Sequence, residues 1–200
     1  FWVEETPFDW RDAIIYQVFV DRFRAATGPL PGLAPISWYH GGDLWGVIDM
    51  MEAGYFEALG INALWISPMV DNPEGRFVGR DGHISEAYHG YWPADPMKVE
   101  PRFGGEEALE ALVEAAHSRG IRVLMDMVLN HVHDAHPYSE RGAAWFNNPD
   151  GTCICGRSCP WATHIEECWF DPFLMELRLR NPEVIETLVA DAEVWVERYD

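Results

Sequence analysis

Three apolar runs without polar alternation are spaced along the chain. They are Ala13 to Val20 (AIIYQVFV), Ile61 to Pro68 (INALWISP) and the run from Ile121 that leads into Met125-Asp126-Met127-Val128-Leu129-Asn130-His131. Each is rich in β-branched or aromatic residues and predicts a strand covered on both faces, as in a parallel sheet. Stretches with helical spacing alternate with them. Val47, Met51, Tyr55, Ala58 and Leu59 make one apolar face, with Asp43 as N-cap and Gly60 as the stop. Gly105 to Arg119 is a second helix: Glu106 and Glu107 lie in its first turn, Leu109, Leu112, Val113 and Ala116 on its buried face, His117 and Arg119 in its last turn, and Gly120 closes it. Asn181 and Pro182 open a third, with Ile185, Leu188, Val189, Ala192, Trp195 and Val196 facing inward. Strand and helix in strict alternation predict an α/β fold with a parallel sheet.

The rhythm breaks in three places. Residues 1–12 read as a lead-in, and residues 27–37, with Gly28, Pro29, Pro31, Gly32 and Pro35, read as loop. Residues 71–104 form a long connection rich in Gly, Pro, His and aromatics, and a loop of that length in a compact domain is usually functional. From Val132 to Arg180 no long periodic helix is present, His133 and His136 read as ordinary loop residues, and all four cysteines fall in one window: Cys153, Cys155, Cys159 and Cys168. The spacing lacks paired C-x2-C knuckles, so two disulfides are the preferred reading over a zinc site completed by His164. Four cysteines allow three pairings, and the spacing selects none of them. Disulfides imply an oxidising compartment, hence a secreted or extracytoplasmic protein.

Charge narrows the partners. Fourteen Lys and Arg stand against 33 Asp and Glu, a formal charge of −19, with no basic patch. Such a surface repels nucleic-acid phosphate and anionic lipid and is compatible with a neutral ligand. No apolar run reaches the ~18 residues of a membrane span. The start, Phe1-Trp2-Val3-Glu4-Glu5, has neither the basic residues nor the apolar stretch of a signal peptide, and no initiator Met, which suggests a start inside a longer precursor. Ten Trp are present, several beside Gly, Pro and His in expected loops, where flat rings can stack on a sugar.

The candidate chemistry sits where the third strand ends. Asp126, Asn130 and His131 are polar groups at the C-terminal end of a parallel strand, the place where α/β proteins build ligand sites. The bland alternative is that Asp126 and Asn130 only satisfy loop backbone. Other motifs fall in order around them: Asp21-Arg22-Phe23 after the first strand, Gly41-Gly42-Asp43-Leu44, Trp65-Ile66-Ser67-Pro68, Tyr88-His89-Gly90-Tyr91-Trp92, and Met175-Glu176-Leu177. As an ordered series, from about residue 13 to the end, they resemble the α-amylase family of glycoside hydrolases (family thirteen).

That resemblance implies a (β/α)8 TIM barrel, represented here through its third helix, with an irregular domain inserted after strand three. Its parts would be residues 1–131 (strands one to three), 132–180 (the cysteine-containing insert) and 181–200 (the third helix). It implies an α-1,4-glucan or maltooligosaccharide substrate and a retaining mechanism, with two carboxylates about 5 Å apart. In the family these acids, and a third, follow strands four, five and seven, so none is assigned within these 200 residues, and this piece alone is expected to be inactive. Tyr91 would stack on the sugar, with His89 near it; His131 would donate to a sugar hydroxyl, and Trp92 is either a sugar contact or loop packing. Asp126 would be a support that orients its neighbours. Asn130 and Glu176 would hold a calcium between barrel and insert, Glu176 standing where the family has Asp. The alternative reading is a non-catalytic relative kept as a carbohydrate-binding or interaction module.

Overall fold

In the computed structural model, which describes residues 8–28, 30, 32 and 34–199, strands β1 (Ile15–Val18), β2 (Ala63–Ile66) and β3 (Arg122–Met125) form one parallel sheet in that order. Register runs Ile15 to Ala63 and Val18 to Ile66, then Ala63 to Arg122 and Ile66 to Met125. The lead-in residues 1–7, Pro29 and Pro31 of the first loop, and Asp200 lie outside the described residues. Helices α1 (Leu44–Glu52) and α2 (Gly105–His117) connect the strands, and α3 (Pro182–Tyr199) follows. All three strands are four residues long, shorter than the apolar runs that announced them. The main core lies between sheet and helices: Val18, Leu64 and Ile66 meet Val47, Met51, Phe56, Leu109 and Leu112. Trp195 and Tyr199 of α3 join this core.

Several expectations change. The helix expected from Asp43 to Gly60 is broken after Glu52 and resumes only as the turn Tyr55–Ala58. The stretch from Ile121 to His131 is not one strand: β3 ends at Met125, and a separate strand, β4 (His131–His133), pairs antiparallel with β5 (Leu174–Glu176). Asp126 follows β3 directly, its N–H bonded to the Ile66 carbonyl at 3.3 Å. His133 and His136 are buried rather than open loop residues, each 2% exposed. His133 packs against Phe77 and Phe173, and His136 accepts the Tyr138 N–H as an N-cap.

Segment 132–180 shares its apolar groups with its neighbours. Val132, Tyr138, Trp145, Phe146 and Leu177 cluster with Val184 of α3. Phe173 and Leu174 cluster with Ala87 and Trp92 of the long connection. Tyr138 donates to the buried Asp191 of α3 at 2.6 Å. No helix among the described residues is long and apolar enough to cross a membrane.

The start of α1 carries a sharp test. Asp43 accepts from the Gly46 N–H at 2.7 Å, as an N-cap should, and also from the Ala26 N–H at 3.1 Å, tying the helix to the start of the first loop. A Cβ on Gly46 would lie 2.2 Å from the Arg24 carbonyl oxygen. Gly to Ala inside a helix ordinarily gains ~1 kcal/mol. Here Gly46→Ala is expected to lower the Tm of the full-length protein, by more than the ~1 kcal/mol expected of Asp43→Ala. A rise in Tm with Gly46→Ala would refute the close approach.

Candidate functional site

The long connection is not irregular throughout. Val70–Asp71 pairs antiparallel with Asp95–Val99, closing its base, and Phe77–Val78 with Ile84–Ser85 makes a small hairpin. Inside that closed base one side chain organises the turn that carries the candidate rings. Asn72, 3% exposed, donates Nδ2 to the Val70 carbonyl at 2.7 Å and the Gly90 carbonyl at 3.3 Å. Its Oδ1 accepts the Trp92 N–H at 2.9 Å, and its own N–H donates to the buried Glu100 at 3.0 Å. Gly90 sits at φ +81°, and a Cβ there would meet the Pro68 carbonyl oxygen at 2.3 Å, so only glycine fits. Tyr91 is therefore clamped between two residues held by one amide.

From this turn the rings reach the end of β3. Tyr91 donates its hydroxyl to Asp126 Oδ2 at 2.7 Å; burial first, then that bond, pushes the phenol up to about 12. His89 accepts the Tyr91 N–H on Nδ1 at 2.9 Å, which leaves the proton on Nε2. Burial, with His131 and Arg22 adding to it, lowers the His89 imidazolium to about 4, so the ring is neutral near pH 7. His131, 7% exposed, donates Nε2–H to the Tyr91 carbonyl at 2.9 Å, and burial lowers its pKa as well. The donor expected to face a sugar hydroxyl is thus bonded to backbone in this structure. Trp92, also 7% exposed, packs edge-on against His89, Phe77 and Phe173, so its ring holds the turn from behind. The structure brings together Tyr91, His89, His131 and Asp126, four of the residues singled out in the sequence. Asn72 and Glu100 were missed because a buried polar residue and a loop polar residue look alike in sequence.

A second polar cluster lies between the strand pair and the cysteine-bridged segment. Glu176 pairs with His131 in the β4–β5 ribbon, and Leu177 donates its N–H to the Asn130 carbonyl at 2.9 Å, so Asn130, just before β4, lies beside the end of β5 that carries Glu176. Both line one open cavity of about 650 Å³ with Asn147 and Glu166. Glu176 is 4% exposed, and burial pushes its carboxyl up to about 7 despite a hydrogen bond from Asn147. Asn147 Nδ2 lies 3.1 Å from Glu176 Oε1, 3.1 Å from the Glu166 carbonyl and 3.5 Å from the Leu177 carbonyl. Three oxygens from two stretches, Glu166 and Glu176–Leu177, thus surround the Asn147 amide nitrogen, and the acid among them is undercompensated; oxygen donors are the kind a hard cation takes. Asn147 had no signal in the sequence beyond its residue type.

The cysteines form Cys153–Cys159 and Cys155–Cys168. With all four sulfurs bonded in pairs, none is the thiolate that zinc requires, and the zinc reading falls. His164 lies beside Cys153 and Cys159 but donates to Glu167 at 2.7 Å.

Residues 17–151 match the model of the alpha amylase catalytic domain. The chain is 36% identical over 187 residues to alpha-amylase mde5 of Schizosaccharomyces pombe, covering 90% of this chain and 34% of that protein. Over 135 residues it is 38% identical to the periplasmic alpha-amylase of Escherichia coli, covering 62% and 20% of the two chains. The fold matches the crystal structure of the Geobacillus thermoleovorans alpha-amylase complexed with acarbose, with a TM-score of 0.76 and 32% identity over 97% of this chain and 39% of that one. The chain spans between 20% and 39% of the length of these relatives. With the family model matching well over half of it, the chain belongs to the α-amylase family of glycoside hydrolase catalytic domains.

Proposed function

We propose that this chain forms the N-terminal portion of an enzyme that cleaves α-1,4-glucosidic bonds of starch-like glucans by a retaining mechanism. In this reading β1, β2 and β3 are the first strands of a (β/α)8 barrel, residues 132–180 are a small domain inserted after strand three, and residues 181–200 resume the barrel. The observation that carries it is the Tyr91 ring, held by its hydroxyl to Asp126 at the C-terminal end of β3 and flanked by two neutral histidines. A ring fixed at both ends offers a rigid face for a pyranose at small entropic cost. Tyr91 stacks on the sugar, His89 presents its Nε2–H, and His131 shapes the wall by fixing the Tyr91 carbonyl. Trp92 supports His89, and Asp126 sets the Tyr91 ring angle. The carboxylates that attack the anomeric carbon and protonate the leaving oxygen come from chain beyond these residues. Asn130 and Glu176, beside the Glu166 carbonyl in one cavity wall, would hold a calcium, which would supply positive charge to offset the buried Glu176 and so tie β4–β5 to the bridged segment. Two disulfides and the likeness to a periplasmic relative support an extracytoplasmic location.

Tyr91→Ala in the full-length enzyme is expected to lower kcat/KM on maltooligosaccharides at least about tenfold, with Tyr91→Phe losing less because the ring remains. Equal kinetics for wild type and Tyr91→Ala would remove Tyr91 from the site. Calcium at about a hundred times its Kd is expected to stabilise the protein by ~2.7 kcal/mol, read as a Tm increase that chelation reverses. Glu176→Gln should abolish that calcium response; a wild-type Tm insensitive to calcium and chelator would count against the ion.

The 200-residue chain expressed alone is expected to show no turnover of a chromogenic maltooligosaccharide and to aggregate. β1 and β3 each pair on one side only among the described residues. Beside β3 an apolar groove is lined by Met69, Val70, Met125, Val128, Leu188 and Trp195. Unpaired strand edges next to exposed apolar surface favour association. Clear turnover by the short chain would place the nucleophile among these residues.

A further inference from the structure

Resting on the glucan reading above, we infer that Arg22 is a positioning residue for that site, which holds His89 in place through the ring of Tyr88. Arg22 lies in the helical turn Val20–Phe23 just after β1, within the Asp21-Arg22-Phe23 motif. Its guanidinium is tied down along its edge. Nη2 donates to the Ile36 carbonyl at 2.6 Å and to the Trp38 carbonyl at 2.9 Å. Nη1 lies 3.4 Å from the carboxylate of Asp21, which is fully buried and accepts the His40 and Gly41 N–H groups, each at 3.0 Å. These contacts fix the plane of the guanidinium as well as its position, which the point charge of a lysine would not allow. If Arg22 only locked the 36–38 loop, they would complete its work. Its flat face, however, is laid over Tyr88, 4.0 Å from the ring centroid.

Tyr88 passes the constraint on. Its ring meets His89 edge-on at 5.1 Å and packs against Phe19 at 5.9 Å. His89 also packs edge-on against Trp92 at 4.8 Å. The imidazole that leaves Nε2–H for the ligand is thus set by two neighbouring rings, and Arg22 sets one of them. The charge of Arg22 acts in the same sense as its position. A second proton on His89 has to enter at Nδ1, the atom that accepts the Tyr91 N–H, and so breaks that bond. Burial is the main obstacle to that proton; His131 of β4 and Arg22 of the turn after β1 are the charged or titratable groups that add to it. A fixed cation near a buried imidazole makes a second cation there costlier. Arg22 therefore guards both the place of His89 and the bond by which His89 orients Tyr91.

The test is a double-mutant cycle on the full-length enzyme, read as kcat and KM on a maltooligosaccharide. Arg22→Gln is expected to raise KM about three- to tenfold, with a smaller change in kcat. A reduced amount of folded enzyme lowers the apparent kcat and leaves KM alone, so the split separates positioning from a fold defect. In a His89→Gln background the same substitution is expected to change KM less than about twofold, because the ring it positions is gone. Arg22→Lys keeps the charge and loses the flat contact with Tyr88; it is expected to raise KM as well, and it serves the same cycle should Arg22→Gln not accumulate. A wild-type KM in both variants, or equal rises in the two backgrounds, overturns the inference while leaving the glucan reading intact. Absence of turnover of any α-glucan by the wild type overturns both.

Discussion

The candidate site stands on the side chain of Asn72. Its amide is buried and fully engaged, with two backbone carbonyls accepting from it and one backbone N–H donating to it. A buried amide left without partners costs on the order of 1–3 kcal/mol, so the backbone of Gly90 and Trp92 is held to the positions that satisfy it. The Pro68 carbonyl presses on Gly90 from the end of β2, and Glu100 takes the Asn72 N–H from below. Tyr91 has little freedom between these fixed points, and its hydroxyl meets Asp126 without rearrangement of the loop. Preorganisation of this kind is what makes a stacking ring useful, since the ordering cost is met in folding rather than in binding.

The same economy links the site to the inserted segment. β4 follows the end of β3 and pairs with β5, so His131 and Glu176 are register partners while belonging to two different clusters. On one side His131 fixes Tyr91; on the other Glu176 faces Asn147 and the Glu166 carbonyl. Apolar packing reinforces the connection, because Phe173 and Leu174 lie against Trp92 and Ala87. The segment therefore does not float on the sheet. Any change that loosens the β4–β5 ribbon acts on the Tyr91 wall as well.

The alternating strands and helices were legible because a parallel strand buried on both faces has an unbroken apolar run and a capped helix has polar ends. Asp43 read correctly for the same reason: an N-cap is a local demand on one residue. Strand ends were less visible, since Met127, Val128 and Leu129 continue the apolar run although β3 has ended at Met125. In the insert, nothing local distinguishes a buried histidine from an open one, and His133 and His136 acquire their burial from Phe77, Phe173 and Tyr138, distant or irregular neighbours. Cysteine spacing predicted bridges but not pairing, which depends on where the chain folds back between Ile154 and Trp169.

Charge and tautomer together suit the proposed site of this acidic chain to a neutral ligand. Around Tyr91 the protein keeps its histidines uncharged by burial, and it orients each through one committed nitrogen. On His131 the committed atom is Nε2, which donates to the Tyr91 carbonyl. On His89 it is Nδ1, which accepts the Tyr91 N–H and so leaves Nε2–H as the donor. The two rings therefore differ: His131 holds the tyrosine backbone with its donor, and His89 keeps an N–H that the proposed reading aims at a sugar hydroxyl. A neutral donor suits that task, because it bonds an uncharged acceptor without adding a buried cation to the site. The hydroxyl of Tyr91 is itself spent on Asp126, so the face of the ring, and not its polar tip, is what remains for the ligand.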